Sequence, residues 1–385
     1  MLSSLEATVP TLRKTALNGI HRRMGAKMVD FGGWDMPVEY PSSGGLVKEH
    51  LAVRTAVGMF DVSHMGDILI RGPQALDAVQ WVSMNDASKL QEGQAHYSAL
   101  LYPEGTFVDD LIVHKLGQND YLLVINAGTR EKDVTWVREN TGNFDCKVED
   151  RSDAYTQLAI QGPRAVDVLG KLTDAPLDSI KYYWFTHGTV CGLRDTLIAR
   201  TGYTGEDGFE IYIPSDVDTG ERVWKQVIDA GKELGIVPCG LGARNTLRLE
   251  SKMALYEHEI NDKINVWEAG LDRYCKIEKG EFIGRAALAE ARAAGLQRTL
   301  VGLEMVERGI ARDGYACLNE QGDNIGVVTS GSPSPTLSKN IALAYVAPAF
   351  SAIGSSVYVE IRSQRCRAQV VPTPFYKRQK RAIAG

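Results

Sequence analysis

The chain predicts an α+β protein, with helices packed on mainly antiparallel sheets and a β-rich C-terminal lobe. Three observations predict it. Strand-like and helix-like segments alternate without a regular period. A tight turn at Tyr102-Pro-Glu-Gly-Thr106 joins two strand-like runs as a hairpin. Beyond Leu271 the pattern becomes mostly short strands with glycine and proline breaks, as at Ser330-Gly-Ser-Pro-Ser-Pro335.

The elements follow in order. Residues 44–57 carry Leu46, Val47, Leu51, Val53 and Val57 among charges, the spacing of an amphipathic helix. Residues 59–71 read as one or two strands. Gly72-Pro73 marks a turn before a helix over 74–84. The hairpin sets Tyr97–Leu101 beside Phe107–Lys115. A strand at Tyr121–Asn126 and a helix at Thr129–Asn140 come next. A similar cycle recurs at Gln157–Gln161, Gly162-Pro163 and a helix over 164–172. The glycine-rich loop from Arg200 to Asp207 runs into an alternating strand ending at Ile213. Helices are expected over 217–235 and 241–256. No sequence repeat or low-complexity stretch is evident.

A length of 385 residues suggests two or three domains. With 44% hydrophobic and 24% charged residues the composition is that of a soluble globular protein. A net charge of −5 lacks the basic excess of a nucleic-acid binder. No apolar run approaches the ~20 residues that span a bilayer. The first eleven residues include Glu6 and lack an apolar core, so no secretion signal is read and the compartment is expected to be cytoplasmic. The six cysteines are scattered without a Cys-x-x-Cys pair and are expected to be reduced and structural. Asp61-Val-Ser-His64 holds Ser, His and Asp, but on one strand they cannot converge as a triad.

The segment Val108-Asp109-Asp110-Leu111-Ile112-Val113 puts two adjacent acids in an apolar, β-branched run. A strand sends neighbouring side chains to opposite faces, so with one face solvated one carboxylate points inward. An unpaired buried carboxylate costs several kcal/mol. A buried cation, a set of backbone donors, or chemistry can justify it. Farther on, Glu210 and Tyr212 share one strand face, and Phe209, Ile211 and Ile213 share the other. Either the first face is wet, or Glu210 accepts paired N–H donors from a flat heterocycle. Arg244 follows the glycines of Gly240-Leu-Gly-Ala-Arg244 at a helix start, one turn before Arg248. That pair is either a surface salt-bridge helix or a reach into a loop-built pocket. Asn126 ends an apolar strand, and Tyr97 and Tyr203 flank turns. Neither glycine-rich loop has the spacing of a dinucleotide or nucleoside-triphosphate fold.

Read together, eight words occur in order. They are Asp30-Phe-Gly-Gly-Trp-Asp-Met-Pro37, Gly58-Met-Phe-Asp-Val-Ser-His-Met65, Val108–Val113, Asn126-Ala-Gly-Thr-Arg-Glu-Lys-Asp133, Gln161-Gly-Pro163, Arg200–Glu210, Gly240–Arg244 and Thr329-Ser-Gly331. With them the chain, from about residue 12 to Pro374, resembles the T-protein (aminomethyltransferase) family of the glycine cleavage system, within the folate-binding superfamily. The resemblance implies a three-lobed cloverleaf around a central channel. A discontinuous first lobe comprises residues 1–58 plus 150–258, and a second lobe comprises 59–149. A linker at 259–274 leads to a C-terminal β-barrel or jelly-roll lobe at 275–385.

The resemblance also implies tetrahydrofolate as co-substrate and lipoylated H-protein as partner, with no metal, flavin or nicotinamide. Residue by residue, Asp110 matches the essential acid. Glu210 matches the residue gripping the pterin's amino-pyrimidine edge. Met65, Tyr97, Val124, Asn126 and Tyr203 match the pocket wall, and Arg244 matches an arginine near the folate. Lys377 to Arg381 are candidates for the folate tail. The chain departs from the pattern at His114, where some relatives carry tyrosine, and at Asn245, Glu257, His258 and Trp267 around the linker and rim. A folate-dependent demethylase of the same superfamily and a non-catalytic folate-binding module are the alternatives. The Lys-Gly-Cys-Tyr-type motif of an iron–sulfur assembly relative is absent.

Overall fold

The computed structural model describes residues 11–378. The N-terminal leader question and the basic residues Lys380 and Arg381 therefore lie outside the described residues. Three β systems dominate. A six-stranded sheet gathers Phe185–Val190, Leu193–Ala199, Gly208–Pro214, Tyr155–Gln161, Val57–Asp61 and Ile236–Pro238, in that spatial order. A five-stranded sheet gathers Ala95–Leu101, Phe107–Gly117, Asp120–Ile125, Gly66–Arg71 and Lys147–Asp150. The third system is a closed six-stranded barrel spanning Thr299–Met305 to Gln364–Val371, sealed by pairing of those two strands. Among the described residues, the strand pairings within these sheets are antiparallel except Ile236–Pro238 on Val57–Asp61. The expected α+β class holds, and the C-terminal lobe is a barrel rather than a two-sheet jelly roll.

Each sheet buries one face under helices. Phe209, Ile211 and Ile213 face Trp224, Val223 and Val227 of the helix Val217–Gly231. Asp216 caps that helix by accepting from the Thr219 N–H at 2.8 Å. In the second sheet Ile68, Ile70, Val113 and Leu123 pack on the helix Ala75–Val82. The other faces of the two sheets meet through Leu69, Leu122, Val124, Phe185, Leu197 and Tyr212. A channel runs along that contact. The chain crosses between the sheets at residues 62–65, after Val57–Asp61 and before Gly66–Arg71.

Three expectations need correction. The helix expected over 241–256 stops at Glu250. Lys252 follows with φ 54°, a left-handed conformation that a helix cannot carry. The helix over 164–172 is shorter, Ala165–Leu169. The helix Arg285–Ala294 lies in the region read as mostly strands. Its sequence Arg-Ala-Ala-Leu-Ala-Glu-Ala-Arg-Ala-Ala has high helix propensity, and Leu288 is buried beneath it.

Hydrogen bonds to buried, ion-paired side chains fasten the barrel to the helices Gly45–Thr55 and Leu241–Glu250. Glu250 bonds Arg54 at 2.8 Å and His50 at 3.2 Å, and accepts from Ser334 and Thr336 of the barrel. Arg248 reaches Glu259 at 2.6 Å and Ser330 at 2.8 Å. Each partner satisfies charge that would otherwise be stranded out of water.

Candidate active site

The alternation at Val108–Val113 works out as two unlike carboxylates. Asp109 is fully buried, while Asp110 is half-buried and faces the channel. Asp109 is justified by donors rather than by a cation. Its Oδ1 accepts from the Asp110 N–H at 2.8 Å and from Asn126 Nδ2 at 2.8 Å, and its Oδ2 accepts from the Thr129 hydroxyl. Asp110 accepts from the Tyr97 hydroxyl at 2.9 Å and from Asn126 Nδ2 at 2.7 Å. Its donors come from neighbouring strands of its own sheet, where Tyr97 stands opposite Ile112 and Ile112 opposite Val124. Burial, reinforced by the charge of Asp109, pushes the Asp110 carboxyl up to about 7, against the pull of Asn126 and Tyr97. Burial and the Asp110 charge push Tyr97 well above its usual value, so it stays a donor.

Across the channel Glu210 projects from Gly208–Pro214 and accepts from the Thr201 hydroxyl. Burial raises its pKa, while Thr201 and the positive charge of Arg244 lower it. The loop that delivers Thr201 and Tyr203 is tightly braced. Gln161 donates to the Thr201 carbonyl at 3.0 Å and accepts from Thr204 at 2.9 Å. A Cβ on Gly202 would lie 2.0 Å from Gln161 Oε1, so a side chain here would displace the amide that makes these two bonds. Arg200 forks onto Asp207 at 2.9 and 2.6 Å, and Arg54 holds the Thr204 carbonyl at 2.7 Å. The Arg244 guanidinium lies 4.6 Å from the Tyr203 ring centroid.

These groups share one cavity of about 500 Å³. Met65, Tyr97, Asp110, Val124, Asn126, Tyr203, Glu210 and Arg244 all line it, although they come from both sheets, the braced loop and a helix start. Its size and its mixture of apolar walls with a few polar groups suit a flat, drug-sized heterocycle. Sequence reasoning missed Gln157, Tyr182, Tyr183, Lys252, Arg273 and Tyr274 on the same wall. Nothing in their local pattern marks them, because a tyrosine in a turn or a glutamine in a strand has no spacing signature. His64 also lines the cavity, while the Asp61 beside it pairs with His21 at 2.9 Å, so no local triad forms. Of the basic tail, Arg378 lies 3.5 Å from Asp207.

The departures at the rim have local accounts. Glu257 has φ 70°, a conformation that glycine adopts more easily. His258 Nδ1 bonds the Thr329 carbonyl at 2.9 Å. Asn245 accepts from Arg248 Nε at 2.9 Å, and Trp267 Nε1 donates to the Leu288 carbonyl at 2.7 Å.

Fold and site together define a three-lobed protein with paired carboxylates across a heterocycle-sized channel. Residues 17–279 match the GCVT N-terminal domain, and residues 298–377 match the glycine cleavage T-protein C-terminal barrel domain. The chain belongs to the glycine cleavage T-protein family. It is 66% identical to an aminomethyltransferase of Koribacter versatilis, over 96% of this chain and 98% of that one. It is 50% identical to one from Moorella thermoacetica, over 96% and 99%. The crystal structure of the glycine cleavage system aminomethyltransferase T from Bartonella henselae superposes with a TM-score of 0.88 at 33% identity, covering 95% of this chain and 98% of that one. Among the described residues, no helix is long and apolar enough to cross a membrane.

Proposed function

We propose that the chain is a tetrahydrofolate-dependent aminomethyltransferase of glycine cleavage, acting on an aminomethyl group carried by the lipoyl arm of H-protein. The products are 5,10-methylenetetrahydrofolate, ammonia and dihydrolipoyl H-protein. In the balance, the carbon loses its bonds to sulfur and to the amine and gains two bonds to folate nitrogens. The two folate protons end on ammonia and thiol, and the oxidation level of the carbon is unchanged.

The observation that carries this reading is Asp110, held in the channel by Tyr97 and Asn126 with its carboxyl pushed up to about 7. A carboxyl so tuned exchanges protons near neutrality, and its ionised form faces the place where positive charge develops on the carbon–nitrogen unit. Proton transfer of this kind contributes roughly 10²–10⁴-fold, and a preorganised charge adds to it. Glu210 and Arg244 suit a ligand with both a donor edge and anionic or acceptor groups. Tyr97, Tyr203, Met65 and Val124 supply apolar wall.

The test is ammonia release from aminomethyl-loaded H-protein. Release should require tetrahydrofolate and should fail with unlipoylated H-protein. Methyl transfer from a sulfonium donor, indifferent to H-protein, would move the assignment to the demethylase reading.

A further inference from the structure

The inner end of the channel, where the two sheets meet, concentrates buried polar atoms that Asp110 and Glu210 do not explain. Gln157 and His114 both line the cavity and are 2% and 1% exposed. They approach from opposite sheets. Gln157 stands directly opposite Tyr212 in the first sheet, and the ring of His114 lies 6.3 Å from that of Tyr212. Glu210 is two residues from Tyr212 on the same strand face. Behind them Asp67 is fully buried, and its Oδ2 accepts from Gln157 Nε2 at 2.6 Å, a bond that crosses between the sheets. That bond leaves Gln157 Oε1 as the atom free to accept from the cavity.

The Oδ1 of Asp67 has no hydrogen-bond partner among the described residues, and the His114 ring nitrogens have no side-chain partner there, with only the Ile112 and Leu122 carbonyls of their own sheet beside them. A buried polar atom left unpaired costs about 1–3 kcal/mol, and folded proteins hold few of them. The His114 ring and the free Gln157 oxygen stand together at one end of a ligand-sized cavity, which points to a ligand that meets them. The edges of Phe185 and Tyr212 fix the His114 ring in place, with centroids at 5.4 and 6.3 Å. Burial holds this imidazole neutral, with its pKa down to about 4, so it offers one donor and one acceptor.

We propose that Gln157 and His114 read the polar edge of the bound heterocycle at the inner end of the channel, with Asp67 as the positioning residue that holds the Gln157 amide. This rests on the folate reading above and names two specificity-determining residues for it. His114 lies four residues along the strand from Asp110, roughly 13 Å at about 3.3 Å per residue. Its contribution is therefore to binding and not to the chemical step.

The test is tetrahydrofolate binding by calorimetry under anaerobic conditions, paired with steady-state turnover on loaded H-protein. Gln157→Met and His114→Phe should each weaken tetrahydrofolate about tenfold, raising KM while kcat stays within about twofold. Affinity for p-aminobenzoyl-glutamate, which lacks the pterin, should not change. Asp67→Asn keeps an oxygen that accepts from Gln157 and should retain wild-type affinity. Asp67→Ala should lose as much as Gln157→Met, and combining the two should add nothing further. Unchanged tetrahydrofolate affinity in both Gln157→Met and His114→Phe, with Glu210→Gln still weakening it, overturns this inference alone. Additive losses in the Asp67→Ala/Gln157→Met pair overturn the positioning role. Failure of the wild-type protein to bind tetrahydrofolate overturns the folate reading and this inference with it.

Discussion

The two sheets that face the channel share one plan of connection. In the second sheet the chain runs through Gly66–Arg71, a helix, three meandering strands, a helix and Lys147–Asp150. In the first it runs through Tyr155–Gln161, a helix, three meandering strands, a helix and Ile236–Pro238. In both, the last meander strand lies beside the opening strand. The first sheet differs by the strand Val57–Asp61 inserted before its closing strand. The same backbone frame therefore presents two different carboxylates to one channel.

Their surroundings push them apart. Asp110, on the middle meander strand, has another acid next to it, and burial and that charge raise it to about 7. Glu210, on the third meander strand, has a cation across from it, and Arg244 opposes the effect of burial. Groups on one site whose environments differ in this way divide the work between proton chemistry and recognition. On the proposed reading, Asp110 does the chemistry and Glu210 the holding.

Several substitutions break or sharpen that contrast. The largest effect is expected at Asp110→Asn, with turnover on loaded H-protein falling roughly 10²–10⁴-fold while the tetrahydrofolate Kd stays within about threefold. Glu210→Gln should do the reverse, weakening tetrahydrofolate more than about tenfold by calorimetry, with kcat far less changed. An unchanged Kd would remove Glu210 from the site. Smaller is the pH effect: kcat/KM should rise with pH through an acid limb near 7, and the limb should vanish in the residual activity of Asp110→Asn.

The smallest effect is on stability. The folded Asp110 carboxyl holds its proton to about 7, whereas the unfolded one releases it near 4. Between those values the folded state binds more protons, so stability is present at low pH and lost as pH rises through about 7. Asp110→Asn should therefore be more stable than wild type at pH 8, by roughly 1–2 kcal/mol given that the side chain still meets channel water. The two proteins should melt alike near pH 3.

Much of this was legible in residues. Two adjacent acids in a β-branched run forced the inward-facing carboxylate, and the alternation around Glu210 set its face. What periodicity could not supply was contact across the channel. Asp67 sits in a strand pattern like any other, and only the fold brings it to Gln157, ninety positions away. The shared plan of the two sheets was legible only at its start, where the strand, Gly-Pro turn and helix of 59–84 recur over 157–172; the meanders that follow share a backbone path without sharing side chains. The helix 241–256 was overdrawn because its apolar spacing continues past Glu250, where the chain turns to line the channel.

The most direct measurement is the ionisation of Asp110 itself, read by carbon-13 NMR of the aspartate-labelled protein and assigned by its loss in Asp110→Asn. The account predicts a carboxyl titrating near 7. A midpoint near 4, the value of a solvated aspartate, would contradict it.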